Sequence, residues 1–69
     1  MTFIRPTFYK FAIKDFGRRQ SVWMTENISG AWHIRTEDNM LKVVFWNEED
    51  AMAYKLYWTE DIFEYTEER

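Results

Sequence analysis

Residues 31–58 read AWHIRTEDNMLKVVFWNEEDAMAYKLYW, and this stretch decides the fold. From 31 to 36 the side chains alternate. Trp32, Ile34 and Thr36 take one face, His33 and Arg35 the other. A period of two argues a strand. Glu37-Asp38-Asn39 is a polar turn whose Asp and Asn tolerate left-handed backbone. Residues 40–46 form a second strand, with Leu41, Val43 and Phe45 facing in and Lys42, Val44 and Trp46 facing out. The two strands and their short turn predict an antiparallel hairpin. Asn47 then opens a helix. It is a good N-cap, and Glu48, Glu49 and Asp50 sit where the helix dipole favours acids. Asp50, third in the helix, is expected to close a capping-box-like pair with Asn47. The helix runs to about Trp58. Ala51, Tyr54 and Trp58 form one face, Met52 and Leu56 another. A helix that is apolar nearly all round is normally buried on more than one side.

Outward from this stretch, residues 3–14 also alternate. Tyr9, Phe11 and Ile13 oppose Phe8, Lys10, Ala12 and Lys14. Pro6 cannot donate to a ladder, so pairing starts after it or leaves that side open. Gly17 supplies a break. In residues 18–29, Phe16, Gln20, Trp23, Met24 and Ile28 recur at three- and four-residue spacing, which predicts a helix stopped by Gly30. A strand with Val22 and Met24 on one face is the competing reading. Residues 61–66 read as a last strand, with Ile62 and Glu64 opposite Phe63 and Tyr65. Residues 67–69 are expected to be a frayed, solvated tail. The fold class is α+β: a ferredoxin-like βαββα(β) domain over residues 1–69, its antiparallel sheet carrying two helices on one face and leaving the other open.

Sixty-nine residues with no Cys exclude a disulfide scaffold and a thiolate zinc site. No apolar run is long enough to span a membrane, and the first fifteen residues lack the apolar core of a secretory signal. These features predict a soluble, cytoplasmic protein with no membrane partner. A chain this small buries only about 60% of its unfolded surface. It carries six Phe, four Tyr and four Trp, each able to bury about 150–250 Å². That is more than one small core hides, so some aromatics are expected on an interaction surface. Homodimerisation follows as a possible outcome.

Charge divides unevenly. Residues 1–35 hold six Lys and Arg against Asp15 and Glu26, a net of +4. Residues 36–69 hold ten acids against Lys42, Lys55 and Arg69, a net of −7. An acidic half repels phosphate, which disfavours nucleic acid. No catalytic constellation is present. His33 is the one His. Ser21 and Ser29 lack a nucleophile-elbow context. The acids at 48–50 and 60–61 lack the spacing of a calcium loop, and two isolated glycines make no phosphate loop. The chain is therefore read as a non-enzyme with no cofactor and no metal.

Two surfaces are the candidates for protein contact. On the open sheet face stand Phe8, Lys10, Arg35, Val44 and Trp46, beside His33 and Lys42. On the outer side of the second helix stand Met52, Leu56 and Tyr57. Aromatics and Arg are the types enriched at interfaces. The sheet face shares its aromatic-and-basic character with RNA-recognition motifs but lacks their signature. Binding of single-stranded nucleic acid there is the alternative to a protein partner, and a small oligomeric structural role is a further one.

The stretch 32–58 resembles small uncharacterised accessory proteins of tailed phages of the T4-like and cyanophage type. Phe45, Glu49, Asp50, Ala51, Tyr54, Leu56 and Trp58 carry the resemblance: a late strand, an acid-rich helix start, Asp-Ala, an aromatic, Leu and a terminal Trp. It implies a virus-encoded protein in the host cytoplasm that binds and modulates a host or phage enzyme. It assigns no catalytic residue.

Overall fold

The computed structural model describes residues 7–68. Four strands and two helices follow one another: β1 (Phe8–Ile13), α1 (Arg18–Asn27), β2 (Trp32–Glu37), β3 (Met40–Phe45), α2 (Glu48–Tyr57) and β4 (Ile62–Glu68), with a 3₁₀ turn at Thr59–Asp61. The expected start of the first strand at residues 3–6, Pro6 included, and Arg69 lie outside the described residues. The strands form one antiparallel sheet in the order β2-β3-β1-β4. The protein is therefore α+β. Because every neighbour is antiparallel, α1 joins two strands that run the same way with β3 between them. By the same logic α2 joins β3 to β4 across β1.

One sheet face and both helices share the core. Tyr9, Phe11, Ile13, Val43 and Phe45 from the sheet meet Met24, Ala51, Tyr54 and Trp58. Phe11, Phe45 and Tyr54 form a ring triangle with centroids 5.2–5.8 Å apart, the offset and edge-on separations aromatic pairs prefer. The Tyr54 hydroxyl donates to Gln20 Oε1 at 3.2 Å, which pairs these two buried polar groups across the helices. Burial, helped by the Asp61 charge, raises the Tyr54 pKa well above the ordinary tyrosine range.

The hairpin register is Trp32↔Phe45 through Glu37↔Met40. Its turn is tighter than the three residues expected: Asp38 and Asn39 alone turn the chain, at φ 54° and 64°. Positive φ at both central residues matches the right-handed twist of paired strands. The second helix stands as predicted. Asn47 Oδ1 accepts from Glu49 N at 2.8 Å and Asp50 N at 3.4 Å.

Several sequence expectations need correction. The first helix ends at Asn27, and Ile28 is already extended. Gly30 is not a left-handed stop, since no glycine has positive φ. Asp50 does not serve a capping box. Its carboxylate crosses to the loop before β2, accepting from Gly30 N at 2.8 Å and Ser29 N at 3.4 Å. A Cβ on Gly30 would stand 2.9 Å from Asp50 Oδ2, so any larger residue there must push that carboxylate aside. Residues 67 and 68 are not a frayed tail: β4 pairs with β1 as far as Phe8↔Glu68. Finally, strict alternation in the last strand fails. The register shifts between Ala12 and Ile13 and passes over Phe63. This bulge lets Ile62 pack on the core while Tyr65 sits 5.0 Å from Phe11.

Candidate interaction surface

The sheet face away from the helices is closed by charge. Lys10 Nζ lies 3.2 Å from Glu37 Oε1 and 3.1 Å from Glu68 Oε2. Arg35 Nη1 reaches Glu37 Oε2 at 3.0 Å, and Lys42 Nζ stands 4.0 Å from Glu37 Oε1. Glu37 thus gathers three cations from three strands. Burial works to lower the Lys10 pKa, but the hydrogen bonds to Glu68 and Glu37 outweigh it, and the net shift is upward. Glu37 is held below the ordinary range, first by Arg35 and then by Lys10, against its own partial burial. This clasp corrects two expected interface residues. Lys10 is 7% exposed and Val44 1% exposed, so neither is available to a partner. Phe8 is half-buried and packs edge-on against Trp46 at 5.4 Å. Trp46 and Arg35 remain exposed. His33 sits at the edge of Trp46 and makes no hydrogen bond among the described residues. No group of three or more His, Asp or Glu among them is arranged to hold a metal ion.

The helix layer differs. Met52, Leu56 and Tyr57 are 43%, 79% and 61% exposed. The expectation that α2 is buried on several sides is therefore corrected: one face enters the core and the opposite one is bare. Reading the sequence missed Val22 on α1, which is 47% exposed. Between the two helices runs an apolar groove of about 420 Å³, lined by Arg18, Arg19, Val22, Trp23, Glu26, Tyr57 and Trp58. Trp23 and Tyr57 stack at 5.2 Å and form its floor. The Arg19 guanidinium stands 5.9 Å over the Trp58 ring. A second depression continues past Leu56 and Tyr57 to Thr59, Glu60 and Asp61. The signal that would have found this surface was in the sequence: Arg18, Val22 and Glu26 recur every fourth residue, a row separate from the core stripe of Gln20 and Met24.

Chemically, the groove offers apolar contact ringed by the charges of Arg18, Arg19 and Glu26. No helix among the described residues is long and apolar enough to cross a membrane. Comparison with protein-family models, with curated proteins and with solved structures finds no match to this chain.

Proposed function

We propose that this chain is a non-enzymatic protein-binding module that works through the outside of its helix layer. The observation that carries the reading is the exposure of Val22 on α1 and of Met52, Leu56 and Tyr57 on α2, with Val22 and Tyr57 lining the groove beside Trp23. Exposed apolar patches ringed by polar groups mark interaction sites. Tyr57 and Trp23 supply rigid area of the kind that anchors interfaces. The sheet face is the poorer candidate, because Lys10, Arg35 and Lys42 are already engaged by Glu37 and Glu68. Cations held in this way have less to offer phosphate, which weighs against the nucleic-acid alternative.

Strand order supports a finer fold assignment, the ferredoxin-like split βαβ arrangement, since each helix links parallel strands separated by one antiparallel neighbour. The resemblance to tailed-phage accessory proteins supplies a setting: a host or phage enzyme as the partner, met in the host cytoplasm. Site-specific photo-crosslinking in the producing cell tests the binding surface. A photoreactive phenylalanine at Leu56 is expected to give a discrete protein adduct, and the same group at His33 none. Adducts from His33 with none from Leu56 would move the surface to the sheet.

A further inference from the structure

The charges of α1 contradict its own dipole. Arg18 and Arg19 stand in the first turn, where the helix carries partial positive charge, and Glu26 stands in the last, where it carries negative. Gly17 provides no side-chain cap, and the first turn contains no acid. Among the described residues, no carboxylate lies within ion-pair distance of either arginine, and Glu26 has no cationic partner. All three are exposed. α2 follows the opposite rule, with Glu48, Glu49 and Asp50 in its first turn and Lys55 in its last. A local rule broken on one element, and kept on its neighbour, points to a site whose partner lies outside the fold.

The arrangement is self-complementary. Arg18, Val22 and Glu26 lie at four-residue intervals, so they form one row along α1. Arg18 and Glu26 are equidistant from Val22, about 6 Å away along the axis on either side. A two-fold axis at Val22 places the Arg18 of one copy beside the Glu26 of the other, and the reverse pair follows by symmetry. Rows of this spacing pack against each other when helices cross at about 50°. The same crossing brings each α1 N-terminus an acid and each C-terminus a base.

We propose that the groove between α1 and α2 is a homodimer interface, with Val22 at the two-fold axis, Tyr57 and Trp23 flanking it and Arg18–Glu26 pairs at its ends. This deepens the protein-binding reading by naming a second copy as the occupant of that surface.

The test is a charge exchange read by sedimentation equilibrium at tens of micromolar. The wild type should show about twice the 8.6 kDa chain mass. Arg18→Glu and Glu26→Arg, each alone, turn two attractive pairs into two repulsive ones and should weaken the dimer at least about tenfold. An equimolar mixture of the two variants should dimerise again, because each supplies what the other lacks. The double variant should also dimerise. Circular dichroism confirms that each variant is folded. Val22→Asp, which sets two carboxylates against each other at the axis, provides an independent disruption. A wild type that stays at 8.6 kDa, or single variants that dimerise normally, would overturn the proposal. Adducts from Leu56 to a different protein would then still stand, so the two readings fail separately.

Discussion

Asp50 shows how one side chain joins distant parts of this chain. It sits 5% exposed in the first turn of α2, yet its carboxylate holds the backbone of Ser29 and Gly30 at the entry to β2. Asp50→Ala is expected to cost about 1–2 kcal/mol, since a charge-assisted bond to the part-buried Gly30 N–H is lost. Gly30→Ala should cost about 1–3 kcal/mol by overpacking against the same carboxylate. The two costs should not add. Removing the Asp50 carboxylate frees the space that the new methyl group needs, so the double variant should be more stable than the sum of the single losses predicts. Urea unfolding of the four proteins measures this. Full additivity would mean that Gly30 is held by Asn47 Cβ, its next neighbour at 3.3 Å, and not by Asp50. Sequence spacing alone pointed Asp50 at Asn47, because capping logic is local. The rival partner lies twenty residues away, and no local rule reaches it.

At the scale of the element, the hairpin and α2 were legible because their signals are local: alternation, a turn with left-handed residues, a side-chain cap. The closed sheet face was not. Alternation correctly placed Lys10, Arg35 and Val44 away from the helices, but solvent exposure there depends on strand order. Only when β1 lies between β3 and β4 does Lys10 fall between Glu37 and Glu68. Likewise the last strand grew longer because β1 offered it an edge, and its bulge depends on that pairing. The clasp has a pH signature. Glu37 is depressed, so its contribution is complete above the ordinary glutamate range and is lost as pH falls through its own lower value. Lys10 is raised, so its contribution is complete below the ordinary lysine range and is lost as pH climbs through its higher value. Urea midpoints should therefore fall between about pH 5 and pH 3. Glu37→Gln should flatten that acid limb. An equally steep limb in the variant would assign the loss to other carboxylates.

The whole molecule divides its charge and apolar area between two faces. The sheet face spends its charges internally, whereas the helix layer leaves both apolar area and charge unmatched. The chain is too small to cover that surface with its own elements, and aromatic supply alone could not say which face would be left bare. The proposed contact surface is the helix layer, and its proposed occupant is a second copy of the chain. Amide shift mapping on ¹⁵N-labelled protein across a dilution series tests it most directly. Shifts that move with concentration along α1 from Arg18 to Glu26 and around Leu56–Trp58, while those of His33–Glu37 and Lys42–Trp46 stay fixed, are the predicted result. Concentration-dependent shifts centred on Trp46 and β2, or none anywhere in the chain, would contradict it.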